Sequence, residues 1–287
     1  MNLNFNRRID KKVISVDSFI DLLNLYASKD YENYEYYYRG HSDQAYATLP
    51  SLFRETSHIY NEDKMFRELI LRCPNEFNNL NGTFQKLVKM QHYGLPTRLL
   101  DITSNPLIAL FFSCISNQDK DGEVVVFKVP KREIKYYDSD TVAILSNLAL
   151  MKRDFDITGV ENLEPHMFSQ KSPVDLLIYQ VGQEKSGFRS MLNPKDLIST
   201  VCVKPLLDNE RIVKQDGAFL LFGMGDNITK PAKLDDDKYL PTGEEKLIIH
   251  KDSKSLIINQ LRTLSIHGGT VFPDIGNVAE SIKQQFR

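Results

Sequence analysis

The chain has 287 residues, 41% of them hydrophobic and 26% charged, with a formal net charge of −2 and a pI near 6.3. That balance belongs to a globular protein and excludes a generally basic molecule that coats nucleic acid, although a local basic cleft remains compatible with it. Cys73, Cys114 and Cys202 are odd in number and share no metal-ligand spacing, which suits reduced thiols in a cytoplasmic compartment.

The first residues, Met1 to Arg8, lack the apolar core of a signal peptide. No apolar run approaches the ~18 residues that span a bilayer, so the expectation is a cytoplasmic protein with no membrane partner. Residues 1–30 read as an N-terminal helical segment, with Ser18 capping an apolar-periodic stretch to Tyr26. Residues 31–287 read as one domain, because no linker, repeat or low-complexity tract divides them. Tyr34 to Arg39 is strand-like, since aromatic side chains fit a pleated, half-buried surface.

Helices are expected over Asn61 to Arg72 and Thr83 to His92, ending before Pro74 and near Gly94. Thr97 to Ile102 is a strand. Asn105-Pro106 forms a cap and first turn for a helix to Ile115 that is apolar almost all round, hence buried on most sides. A polar turn, Asn117 to Gly122, leads to an interior strand from Glu123 to Val129. Further helices are expected from Leu145 to Asp154 and from Ser172-Pro173 to near Gly187. Strands follow at Thr200 to Val203, Ala218 to Phe222 and Lys246 to Ile249, with a charged loop at Asp235 to Glu245 before the last of them. Helices from Ser253 to Leu264 and Asn277 to Phe286 close the chain. The class is α+β, a single mixed domain with a largely antiparallel central sheet flanked by helices.

Three constellations could carry chemistry. Arg39-Gly40 at a strand end offers a planar guanidinium fork for phosphate or ribose oxygens, with glycine allowing close approach. Alternatively, Arg39 simply pairs with a buried carboxylate or caps a helix C-terminus. His92, Tyr93 and Arg98 surround the tight turn Gly94-Leu95-Pro96, and Asp101 precedes Thr103 at a strand end leading to a helix N-terminus, where N–H donors are free. The structural alternative is that Arg98 and Asp101 pair with each other or with neighbours, and that Thr103, Ser104 and Asn105 merely cap the helix. Gln215 before Asp216-Gly217 could bring an amide to the same cleft or mark an ordinary turn. The six histidines show no His-x-x-x-His spacing, so no metal is indicated, and no Walker A, Gly-x-Gly-x-x-Gly or Gly-x-Ser-x-Gly motif is present.

Tyr38-Arg39-Gly40, the long stretch from Gln91 to Asp101, Asn105 to Phe112, Arg211 with Gln215 to Phe219, and Leu264 to Asp274 together resemble the FRG domain family, over about residues 20–285. Ile102 departs from the aromatic residue that many of these relatives carry. The resemblance implies a prokaryotic or phage-linked protein, often met in defence contexts, and brings no fixed activity. The order of elements is also similar to ADP-ribosyltransferases, which implies NAD as substrate, as in a toxin that modifies a nucleic-acid or protein acceptor. By that likeness Arg39 with Gly40 and Arg98 would hold the nucleotide, and His92 and Tyr93 would line the nicotinamide end. Asp101 would act electrostatically, while Thr103 and Gln215 would orient the ribose. Those enzymes place a carboxylate, usually Glu, on a later strand, where this chain has Gln215. A binding or sensor module without turnover is the competing expectation, and a purely structural Arg/Asp/Gln network is the third.

Overall fold

A computed structural model of the chain describes residues 12–26, 30–189, 191–235 and 247–286. The expected charged loop at Asp235 to Glu245 falls almost wholly outside them, and the segment before Lys12 lies outside them entirely.

Among the described residues eight strands form one sheet: β1 (Lys12–Val13), β2 (Tyr34–His41), β3 (Leu99–Thr103), β4 (Gly122–Pro130), β5 (Lys135–Tyr136), β6 (Thr200–Lys204), β7 (Gly217–Phe222) and β8 (Leu247–Ile249). Their order across the sheet is β1-β8-β4-β2-β3-β7-β6-β5. Only the two edge pairs, β1 with β8 and β5 with β6, are parallel. The interior is antiparallel throughout. The expected α+β class with a largely antiparallel sheet is therefore what the chain adopts.

Alternation along the strands sorts the core into layers. Tyr36, Tyr38, Val124, Leu247 and Ile249 pack against the helices Val16–Tyr26, Pro106–Cys114 and Lys254–Thr263. On the same face of the other half-sheet, Leu99, Val201, Val203, Phe219 and Leu221 pack against Thr83–His92, Asp140–Asn147 and Val174–Glu184. The opposite face, with Tyr37, Leu100, Ile102, Phe127 and Leu220, is covered by Leu49, Leu234 and, from the 3-10 turn Ser51–Arg54, Phe53.

Most expected elements occur within a few residues of their predicted ends, and two differences are informative. The helix expected from Leu145 to Asp154 runs instead over Asp140–Asn147, then tightens into a 3-10 turn at Leu148–Leu150. Ser139 starts it, its hydroxyl accepting from the Val142 N–H at 3.4 Å. The first helix begins at Val16, so Ser18 lies inside it and turns back to accept from the Ile14 and Ser15 N–H groups. The two-residue edge strands β1 and β5 and the short helix Glu210–Lys214 are too brief to leave a period in the sequence.

Lys254 is fully buried at the start of its helix and donates to the carbonyls of Ser42 (2.7 Å), Ser116 (3.2 Å) and Asn117 (2.8 Å). Burial pulls its pKa below the ordinary lysine value. The ammonium thus ties the end of β2 to the turn after the Pro106–Cys114 helix. Lys254→Met keeps the aliphatic stem and leaves these acceptors without their donor. A loss of about 1–3 kcal/mol in denaturant-derived stability is expected.

Candidate functional site

The site is made by a defect in the sheet. β2 and β3 share one ladder pair, Tyr38 with Thr103. Past that pair, residues 39–41 of β2 remain bonded to β4, and residues 99–102 of β3 to β7. A seam opens between the two half-sheets.

Two adjoining hollows fill the seam, of ≈150 Å³ and ≈170 Å³. The first is lined by Tyr38, Arg39, Gly40, Asp101, Thr103, Arg211 and Gln215 among others. The second shares Asp101, Arg211 and Gln215 and adds Gln91, His92 and Asn209. Residues distant in sequence therefore converge: Arg39, Gly40, Asp101, Thr103 and Gln215 border one space, with His92 next to it.

Arg39 spans the opening. Its Nη1 donates to the Asp101 backbone carbonyl at 2.6 Å, where a continuous ladder would have placed a β2 amide. Its Nε donates to His41 Nε2 at 3.1 Å. Burial lowers the Arg39 pKa, Asp101 opposes that shift and Arg54 adds to it, yet a guanidinium remains charged. By alternation Arg39 leaves the sheet on the face of Tyr37 and His41, whereas the Asp101 side chain leaves β3 on the face of Thr103. The two reach the seam from its two sides.

Gln91 fixes Asp101. Its amide donates to the Asp101 carboxylate at 2.9 Å and to the Leu99 carbonyl at 3.2 Å, and its oxygen accepts from the Thr97 hydroxyl at 2.6 Å. Thr103 is turned to the backbone, donating to the Gln215 carbonyl at 2.6 Å and accepting from the Asn105 N–H at 2.9 Å. Asn105 in turn caps the Pro106–Cys114 helix through the Leu107 N–H at 3.0 Å. Asp216, at φ 45°, makes the left-handed turn into β7 and accepts from Ser104.

The C-terminal segment closes one wall. Gln215 Nε2 donates to the Val271 carbonyl at 3.1 Å, and the Arg211 guanidinium lies 5.2 Å from the centre of the Phe272 ring. His92 Nε2 sits 3.2 Å from an Asp274 oxygen, while its buried Nδ1 has no hydrogen-bond partner among the described residues.

Three expected roles change. Arg98 is fully buried and away from the hollows. It forms a two-pronged pair with Glu62, Nε to Oε1 at 2.7 Å and Nη2 to Oε2, and stacks over Phe53. A guanidinium sealed in this way cannot hold a ligand. Gly40 makes room for a helix rather than for a ligand, since an added Cβ would stand 1.9 Å from the Ala109 carbonyl oxygen. Tyr93 is 66% exposed and borders a neighbouring groove with His92, its ring edge-on to the imidazole at 4.8 Å.

Gln91, Arg211 and Asp274 lie in the segments that carry the FRG resemblance, yet no individual role follows for them from sequence, nor for His41 or Glu123. His41 was accessible in principle, because two residues after Arg39 on a strand means the same face. The others depend on register and long-range closure that no local pattern encodes.

Residues 34–122 match a family model described as FRG domain. The chain carries an FRG domain. The match is narrower than the span of the sequence resemblance and covers less than half of the chain. No curated protein and no solved structure matches the chain. The FRG domain supplies Arg39, His41, Gln91, His92 and Asp101, whereas Arg211, Gln215, Phe272 and Asp274 come from the chain beyond it. No helix among the described residues is long and apolar enough to cross a membrane. They also hold no cluster of three or more His, Cys, Asp or Glu residues suited to a metal ion.

Proposed function

We propose that the seam is a binding site for a phosphorylated nucleoside, with NAD as the first candidate. The observation that carries this reading is the presence of two guanidiniums, Arg39 and Arg211, on one hollow whose lining also includes Asp101. Guanidinium forks favour phosphate oxygens, and a charge-assisted hydrogen bond is worth about 1.5–3 kcal/mol. Small-molecule sites run from roughly 300 to 1,000 Å³, so these hollows suit one ring and its sugar, with the remainder of a dinucleotide lying outside.

A second reading, cleavage of the nicotinamide–ribose bond, is favoured by the exposed Asp101 side chain, the one carboxylate among the described residues that line these two hollows. Nicotinamide would leave with the bonding electron pair. The oxocarbenium character left on the ribose would be stabilised by the Asp101 charge, and water or an acceptor would add and lose a proton. Gln215 weighs towards binding alone, because its amide lacks charge and is tied to Val271. The same chemistry would serve a toxin in phage defence, and the same grip a sensor there.

Thermal stabilisation by NAD, of size RT ln(1 + [L]/Kd), measures the grip. Arg39→Ala and Arg211→Ala should each weaken it at least about tenfold, or about 1.4 kcal/mol. Nicotinamide release that vanishes in Asp101→Asn would establish turnover; NAD binding with no release would leave the sensor reading. A wild-type protein not stabilised by NAD or by other nucleotides would overturn the proposal.

A further inference from the structure

Arg39 is flexible by nature, and something must aim it. His41 is 2% exposed and accepts the Arg39 Nε–H at its Nε2. A nitrogen that accepts is unprotonated, so the neutral ring carries its proton on Nδ1. Nδ1 faces a Glu123 oxygen at 3.6 Å, longer than a hydrogen bond and close enough for a strong field. Glu123 is itself buried, and it is the register partner of His41 across β2 and β4.

We infer that Glu123 and His41 are positioning residues that hold the Arg39 fork in the seam, and that a proton on His41 Nε2 releases it. This rests on the reading of the seam as a nucleotide site. The step is a simple exchange: Nε2 gains a proton, loses its lone pair as acceptor, and two cations then face each other. The charged and titratable groups around the imidazole are Arg39 on its own strand, Glu123 on β4, and Arg54 in the turn after Pro50. Tyr46 lies edge-on at 6.3 Å, and Lys254 holds the adjacent Ser42 carbonyl. Burial lowers the His41 pKa first, Glu123 opposes, and Arg39 and Arg54 add to the lowering. The sign follows. An unfolded histidine titrates near 6.5, so below that the unfolded chain binds more protons, and both fold stability and Arg39 placement decline as pH falls through the lowered folded value.

NAD is a suitable probe, because its pyrophosphate does not titrate in this range. Wild-type affinity for NAD should fall as pH drops below the ordinary histidine value and through the lowered folded one. His41→Gln keeps an acceptor near the Nε2 position without a titrating group, and should bind with a flat profile. His41→Phe should bind weakly at every pH. A His41→Gln protein that keeps the wild-type pH dependence, or a His41→Phe protein that binds NAD like the wild type, overturns the inference. Nitrogen NMR of the unsubstituted protein decides the same point without a ligand. The His41 Nε2 resonance should have the unprotonated shift at pH 7.5, and the Arg39 Nε–H signal should move at the pH where His41 titrates. An Arg39 signal indifferent to His41 sinks the positioning role. A wild type that does not bind NAD, with the coupled titration intact, sinks only the nucleotide reading.

Discussion

Gly40→Ala is expected to cost about 3 kcal/mol or more in denaturant-derived stability, through overpacking against backbone that cannot give way. A Cβ at this position would lie 1.9 Å from the Ala109 carbonyl oxygen, 2.7 Å from the Ser113 amide nitrogen and 2.9 Å from the Phe112 Cβ. All three belong to the Pro106–Cys114 helix, whose body is buried on the sheet. Gly122 meets the same helix from β4, where an added Cβ would stand 2.5 Å from the Ser113 carbonyl oxygen. Backbone resting on backbone sets the depth of the helix, and with it the place of Phe112 and Thr103 in the seam. Gly182→Ala is the control. It lies within the Val174–Glu184 helix with nothing near its missing Cβ, so alanine there should stabilise by about 0.5–1 kcal/mol. Equal midpoints for the two variants would mean that the helix does not sit on β2 as described. Because Gly40 acts through packing, weak ligand binding by a Gly40 variant says little about the seam, and Arg39 variants carry that test.

The sequence made the elements legible and left their joints obscure. β2 is readable from Tyr34 to Arg39 because aromatic residues at successive positions fill both faces of a pleated strand. Asn105-Pro106 announces its helix because a side-chain acceptor and a fixed φ answer the needs of a first turn. The seam is not readable, because it exists where two strands stop pairing, and a ladder that ends after one residue pair leaves no trace in composition. Arg39 and Arg98 show the same limit most plainly. Both are arginines at strand ends beside apolar residues, and only the fold separates them. One reaches a backbone carbonyl across an opening, and the other meets Glu62 inside the core. The glutamate was invisible as a partner because it sits on the amphipathic helix Glu62–Arg72, where a charge in the first turn ordinarily serves the helix dipole.

Arg98→Ala is expected to cost about 3–5 kcal/mol, because it leaves the Glu62 carboxylate buried without its partner. Arg98 is wholly buried and Glu62 nearly so, and the guanidinium also lies 3.4 Å and 3.5 Å from the Phe222 and Gly223 carbonyl oxygens. The pair therefore pins the helix Glu62–Arg72 to the start of β3 and the end of β7. Replacing both partners removes both charges at once, so Arg98→Met with Glu62→Leu should recover most of the loss, as apolar residues of similar size often do for buried ion pairs. Arg39→Ala should behave otherwise. It borders an open hollow, and its partners are a backbone carbonyl and a neutral histidine, so its removal strands no charged partner of its own and its stability cost should stay below about 1.5 kcal/mol while NAD stabilisation is lost. Urea titrations of the four proteins, read beside their NAD shifts, place each arginine. An Arg98→Ala protein of wild-type stability that no longer responds to NAD would move Arg98 from the core to the site. An Arg39→Ala protein that unfolds would make the seam a structural joint.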